Sequence, residues 1–261
     1  MKNKKLIGLL LMLLCAAMLL SGCGEKTHEL TYHAGSGTYY NSKTDVTYQR
    51  AELYYEAVGL KKSMPVAHIP AKQGDDIVLY QIEGAEPEKM LANEYFEIFY
   101  ATGTTMPALW EMGVNEIHVG LAVSGAVMDM TVVTIENADD ISSIISTYQN
   151  GPCFDEKNRY EEGTRNATYR LRFGSAQYPA IFYRLSYYAY AEDVLIYEVI
   201  DSKENFVPTY SGVSYTFNED YVDRGELYAV YNFGKNLMYD HVTGYYYAVN
   251  DTIAKHIPAD S

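Results

Sequence analysis

Residues 168–173 (TYRLRF), 180–190 (AIFYRLSYYAY) and 194–200 (VLIYEVI) decide the fold class of this chain. All three segments are rich in aromatic and β-branched residues, which favour pleated, partly buried strands. Residues 226–233 are a fourth candidate strand. Leu237–Tyr239 and Tyr245–Val249 flank a five-residue turn that ends in Gly244, a pattern typical of a β-hairpin. The second half of the chain is therefore predicted to be mostly antiparallel sheet.

The clearest helix signal precedes these strands. The apolar residues that recur at helical spacing are Ile141, Ile144, Ile145 and Tyr148. Asn137 or Asp139 can cap the start of this helix, and Gly151 followed by Pro152 ends it. A short last helix is predicted at 252–256, after Asp251 as its cap.

The first half of the chain has the same order of strands and then a helix. The predicted strands are residues 77–82, 116–119 and 127–135. Residues 90–92 and 95–101 form either a hairpin about Asn93 and Glu94 or, from Pro87, a short helix. Pro107 opens a turn or helix that carries Trp110, and residues 38–60 suit either a helix or a strand. The predicted class is α+β and strand-rich, with a few short helices, as two similar strand-then-helix units or one mixed sheet.

The N-terminus has the pattern of an export signal. Lys2, Lys4 and Lys5 precede an uncharged, leucine-rich run over residues 6–20, which is shorter than the ~20 residues that span a bilayer. Leu20-Ser21-Gly22-Cys23 follows and resembles the lipobox of bacterial lipoproteins. The resemblance implies that residues 1–22 are removed and that the Cys23 thiol carries a diacylglyceryl group.

A lipid anchor determines the expected location and layout. Two acyl chains hold a protein stably on a membrane, so the resemblance implies a lipid-anchored protein on the extracytoplasmic face of the cell membrane. The polar residues 23–37 are expected to form a flexible tether. Residues 38–150 are expected to form an N-terminal α+β unit and residues 151–261 a C-terminal strand-rich unit. Residues 78–84 and the terminal hairpin are also similar to uncharacterised lipoproteins of Gram-positive bacteria, which implies no activity.

The net charge of the chain narrows the possible partners. Twenty Lys and Arg against 34 Asp and Glu give a net charge of −14. Removal of the leader, which contains three lysines, would make the net charge more negative. Such a surface repels polyphosphate, so no nucleic-acid partner is predicted.

The cysteines are Cys15, Cys23 and Cys153. The first leaves with the leader and the second is lipidated, so no disulfide framework is expected.

Signals for catalysis are weak. Ser124 lacks the Gly-x-Ser-x-Gly spacing of a nucleophile elbow. Cys153 lies in a predicted loop, with His118 and His241 as available bases. The histidines have no zinc-site spacing, and acidic residues are too numerous to single out a glycosidase pair. No catalytic residue and no cofactor is predicted.

The most plausible ion is calcium, because oxygen-rich loops bind it. Its candidate ligands are Asn218, Asp220, Asp223 and Glu226. Val222 stands where a full calcium loop has an oxygen ligand. Solvated acids on an acidic protein explain the same loop.

Tyrosine dominates the aromatic content, with 27 tyrosines against 8 phenylalanines and one tryptophan, Trp110. The tyrosines are either half-packed sheet residues or a contact surface, since tyrosine gives large contact area at low entropic cost. The candidate contact residues are Trp110, Tyr245, Tyr246 and Tyr247. We expect a non-catalytic role in binding a protein, peptide or glycan. An extracellular hydrolase of cell-wall or glycan material, and an inhibitor or envelope-assembly factor, are the alternatives.

Overall fold

The computed structural model describes residues 27–52, 54–121, 130–155, 157, 160–161, 165–218, 226–249 and 251–257. The strands before the helix are β1 (His28–Glu29), β2 (Thr31–His33), β3 (Thr38–Asn41), β4 (Val46–Arg50), β5 (Tyr55–Ala57), β6 (Leu60–Ile69), β7 (Ile77–Ile82), β8 (Met90–Asn93), β9 (Ile98–Ala101), β10 (Val114–Leu121) and β11 (Met130–Ile135). The helix α1 spans Ala138–Asn150, and 3₁₀ turns lie at Leu109–Glu111 and Ala254–His256. The later strands are β12 (Cys153–Asp155), β13 (Tyr160–Glu161), β14 (Arg165–Ser175), β15 (Tyr178–Tyr190), β16 (Leu195–Ile200), β17 (Ser214–Asn218), β18 (Leu227–Asn232), β19 (Asn236–Asp240) and β20 (Tyr245–Ala248).

These strands form three sheets. The first has the order β1-β6-β7-β8-β9-β4-β3-β2, the second β11-β10-β14-β15-β19-β20-β12 with β5 added to β15, and the third β13-β16-β18-β17. Among the described pairs, β1 with β6 is parallel and the others are antiparallel. Strands make up 52% of the described residues and helix 9%, which confirms the strand-rich α+β class.

Strand β15 is the centre of the second sheet. One edge of β15 pairs with β14, and the other is shared by β5, over residues 181–183, and β19, over residues 186–189. Successive side chains on a strand point to opposite faces. Tyr187 therefore packs in the core beneath α1, whereas Tyr188 packs against the third sheet. The tyrosine-rich stretch that predicted a strand is buried on both faces.

Helix α1 covers the second sheet as its sequence pattern predicts. The Asn137 side chain accepts hydrogen bonds from the N–H groups of Asp139 and Asp140, both at 3.0 Å, and so caps the helix. Ile141, Ile144 and Tyr148 form its buried face. The predicted start, face and end of the helix are confirmed.

The structure contains strands where the sequence pattern predicts none. Strands β1 and β2 lie in the expected tether, so that prediction is wrong for residues 28–33. Strand β2 is exposed at a sheet edge, where it pairs with β3 and its Tyr32 ring lies 5.1 Å from that of Tyr39. Strand β6 contains Lys61, Lys62 and Pro65, which are uncommon in strands, so the sequence pattern did not indicate a strand there. The second sheet also takes strands from both sides of Gly151, the expected unit boundary.

The membrane-associated features expected from the sequence belong to the N-terminus. Residues 1–26, which include the lipobox and Cys23, lie outside the described residues. Within the described part of the chain, no helix has both the length and the apolar character needed to cross a bilayer.

Candidate ligand-binding cleft

A cleft of about 830 Å³ opens beside Tyr183, the last β15 residue that pairs with β5. Its walls come from the chain before β5, residues 104–111, the end of α1 and strand β20. The aromatic residues that line it are Tyr54, Tyr55, Tyr100, Trp110, Tyr148, Tyr183 and Tyr247. We call it the tyrosine cleft. Its volume lies in the range of small-molecule binding sites, about 300–1,000 Å³.

Two of the four predicted contact residues line this cleft. Trp110 stands at its rim with 48% of its surface exposed. Alternation along β20 separates the three consecutive tyrosines. Tyr247 lines the cleft, whereas Tyr246 is buried under the third sheet and stacks on Phe154. Tyr245 is exposed at the start of β20, beyond the described lining of the cleft.

The aromatic rings of the cleft are packed against one another. Tyr54 stacks on Tyr183 with ring centroids 5.0 Å apart, and Tyr148 lies 4.8 Å from Tyr247. Trp110 continues this wall at 6.5 Å from Tyr148. Contacts of this kind hold rings in fixed orientations. The wall is therefore formed before any ligand arrives.

A buried carboxylate orients the hydroxyl groups behind this wall. Tyr148 donates to Oδ2 of Asp240 at 3.0 Å, and the Tyr183 hydroxyl lies 2.9 Å from that of Tyr148. The Asp240 carboxylate can only accept, so the single hydroxyl proton of Tyr148 is donated to it. The Tyr183 hydroxyl therefore donates its proton to the Tyr148 oxygen. Oδ1 of Asp240 accepts the N–H groups of Val242 and Thr243 in the hairpin turn. One carboxylate thus joins this turn to two cleft tyrosines.

Four of the tyrosine hydroxyls in the cleft are neutral over the physiological range. Burial raises the pKa of Tyr55 and of Tyr247 to about 12. Burial also raises the pKa of Tyr148 and Tyr183, and the negative charge of Asp240 raises both further. These tyrosines therefore offer O–H groups and ring surfaces and add no negative charge.

Cys153 lies in the cleft, but its surroundings do not activate it. Burial raises the pKa of its thiol, which disfavours the nucleophilic thiolate. The candidate bases His118 and His241 are not among the described residues that line the cleft. Nε2 of His241 instead lies 2.7 Å from Oγ of Ser186, a pair that the sequence did not reveal. Ser186 is buried in the sheet, so the pair is a structural hydrogen bond.

The calcium candidate is described only in part, because Asp220 and Asp223 lie outside the described residues. Asn218 ends β17, and the Glu226 carboxylate accepts a hydrogen bond from the Tyr228 hydroxyl. Over the residues that the structure describes, no group of three His, Cys, Asp or Glu side chains is placed to hold a metal ion.

Comparisons with models of known protein families, with curated proteins and with solved structures found no match.

Proposed function

We propose that this protein is a non-catalytic binding protein, anchored through Cys23 to the extracytoplasmic face of a bacterial membrane, and that the tyrosine cleft holds its ligand. The observation that carries the proposal is the wall of mutually packed rings around a cleft of about 830 Å³. Binding sites are concave, largely apolar and preformed, with a few polar groups that orient the ligand. The resemblance of residues 20–23 to a lipobox supports the anchor.

The chemistry of the cleft supports binding over turnover. Its hydroxyl groups are neutral donors, and its thiol is held in the protonated form by burial. Rigid aromatic side chains give contact area at little entropic cost. Neither the hydroxyl groups nor the thiol is an activated nucleophile.

Thermal unfolding of the full-length chain in a mild detergent tests the proposal. The probes are cell-wall fragments, neutral glycans, amino sugars and short peptides. A ligand at about 100 times its Kd stabilises the folded state by about 2.7 kcal/mol, which gives a readable rise in Tm. We expect at least one probe to raise the Tm, and calorimetric titration to give a saturable isotherm.

A matched pair of variants locates the binding. Trp110→Ala removes the rim of the cleft, and we expect it to weaken binding at least about tenfold. Tyr95→Ala removes a side chain that is 68% exposed outside the described lining of the cleft, and we expect no change. Equal binding by Trp110→Ala and wild type, or chemical conversion of the bound probe, would contradict the proposal.

A further inference from the structure

The charged side chains that line the tyrosine cleft all have the same sign. Glu52 and Glu111 are lining residues, and no Lys, Arg or His occurs among the described residues of the lining. Oε2 of Glu111 accepts the N–H of Ala108 at 3.0 Å, which holds this carboxylate at the rim. The cleft therefore has negative charge at its edge and neutral rings on its walls.

A third carboxylate lies behind the aromatic wall. Asp240 is completely buried, and the partners that the structure describes for it are neutral: the Tyr148 hydroxyl and the N–H groups of Val242 and Thr243. A charge in a weakly polarisable interior acts over a longer range than one in water. The charge of Asp240 acts on the cleft: burial is the larger cause of the raised pKa of Tyr54, and Asp240 raises that pKa further.

Aromatic rings attract organic cations through the negative face of their π-systems. The molecule already uses tyrosine in this way at another place. The guanidinium carbon of Arg165 lies 4.0 Å from the ring centroid of Tyr188. Rings and carboxylates together, without a basic residue in the described lining, are complementary to a positively charged organic group.

The shape of the surface indicates how such a group is presented. A second groove, of about 520 Å³, runs beside α1 and shares Trp110 and Gln149 with the cleft. Ile141, Ile145 and Glu136 are among the residues that line it. Because the two depressions share Trp110 and Gln149, the groove lies directly beside the cleft.

We propose that the tyrosine cleft binds a basic side chain of a peptide. The guanidinium of arginine or the ammonium of lysine lies among the rings and beside Glu52 and Glu111, and the flanking peptide residues lie in the groove along α1. This inference rests on the proposed function, since it names the chemical class of the ligand for the same cleft.

Binding of two matched peptides to the full-length chain in mild detergent tests this inference. One is acetyl-Ala-Arg-Ala-amide and the other replaces arginine with citrulline, which has nearly the same shape but no charge. The fluorescence of Trp110, the single tryptophan of the chain, reports binding, and calorimetry provides a second readout. We expect the arginine peptide to bind at least about tenfold more tightly and to lose most of this preference at high salt.

Two charge-matched double variants locate the preference. In Glu52→Gln/Glu111→Gln we expect the arginine and citrulline peptides to bind within about threefold of each other. Glu88→Gln/Glu204→Gln removes the same amount of charge from exposed positions outside the described lining, and we expect the preference to persist. A preference that disappears equally in both double variants would show an effect of net charge and would overturn the inference.

The possible outcomes separate this inference from the proposed function. Equal binding of the two peptides overturns the inference. A neutral glycan or an amino sugar that binds more tightly than the arginine peptide, with its binding lost in Trp110→Ala, also overturns it but leaves the proposed function standing. If no probe binds in either experiment, both proposals fail.

Discussion

The hydroxyl of Tyr148 donates a hydrogen bond to Oδ2 of Asp240, 3.0 Å away, and joins the end of α1 to the terminal hairpin across 92 residues of sequence. The other carboxylate oxygen closes the hairpin turn through the N–H groups of Val242 and Thr243. A buried acceptor of this kind is costly to remove, because its donors lose their partners without regaining water. The cleft wall and the hairpin turn therefore depend on one side chain.

Replacement of this carboxylate is expected to destabilise the protein. Asp240→Ala leaves the Tyr148 hydroxyl and two N–H groups without their acceptor, and we expect the free energy of unfolding to fall by about 1–3 kcal/mol. Urea denaturation measures the loss. Asp201→Ala, at an exposed position, is the control and should change stability by less than about 0.5 kcal/mol. Equal stability of the two variants would show that the Asp240 contacts are energetically unimportant.

The buried ion pair between Arg172 and Glu56 is expected to be essential for docking β5 onto the second sheet. Nε and Nη2 of Arg172 lie 2.9 and 3.2 Å from the Glu56 oxygens, with side chains only 12% and 6% exposed. Glu56→Ala removes the carboxylate that contacts this largely buried guanidinium through two hydrogen bonds, and we expect a loss of about 3–5 kcal/mol. Glu86→Ala breaks an exposed pair with Lys89 and should cost at most about 1 kcal/mol. Chemical denaturation of both variants measures the contrast, which similar losses would contradict.

Acid is expected to weaken the contact between α1 and the C-terminal segment. Hydrogen bonds from Lys255 and then His256 hold the pKa of the Asp140 carboxyl below its ordinary value of 3.8. A carboxyl whose pKa is lower in the folded than in the unfolded state contributes its full stability to the fold at pH values above the unfolded-state pKa. This contribution is lost as the pH falls through the folded-state pKa. We expect Asp140→Asn to destabilise at pH 7 and to match wild type more closely near pH 3. Urea denaturation across this range, with Asp139→Asn as control, would contradict the assignment if the Asp140→Asn deficit stayed constant.

Alkaline titration is expected to report the burial of the cleft tyrosines. Burial raises the pKa of Tyr247 to about 12, so its ionised form is disfavoured in the folded protein. Stability from such a group is complete below the unfolded pKa of about 10 and is lost as pH rises towards 12. We expect Tyr247→Phe to remove tyrosinate absorbance only above about pH 11. Loss of absorbance near pH 10 in this variant would show that Tyr247 is solvated.

The proposed lipid anchor is expected to depend on Cys23 and not on Cys153. In a bacterial host supplied with labelled fatty acid, we expect wild type and Cys153→Ser to be labelled and recovered with membranes. Cys23→Ser should be unlabelled and released, because the acyl chains provide the membrane affinity. Equal labelling of Cys23→Ser and wild type would contradict anchoring at Cys23.

Local patterns in the sequence were sufficient for several long elements of the fold, although not for the ten-residue strand β6. The aromatic and β-branched run predicted β15, the apolar spacing predicted α1, and the turn before Tyr245 predicted the terminal hairpin. Each of these signals arises within one element, from side chains that alternate or recur along a single backbone. Strand β2 escaped prediction because its three residues are all exposed at a sheet edge, so no alternation of buried and exposed side chains marks it.

The candidate site was only partly predictable. Trp110 and Tyr247 were singled out by residue type, and both line the cleft. The sequence by itself determined that Tyr246 faces away from its two neighbours, because side chains alternate along a strand. Only the tertiary structure decided which face is buried and brought Tyr54, Tyr183 and Asp240 to one place. These residues meet because β5 and β19 share one edge of β15, a long-range pairing that no local pattern encodes.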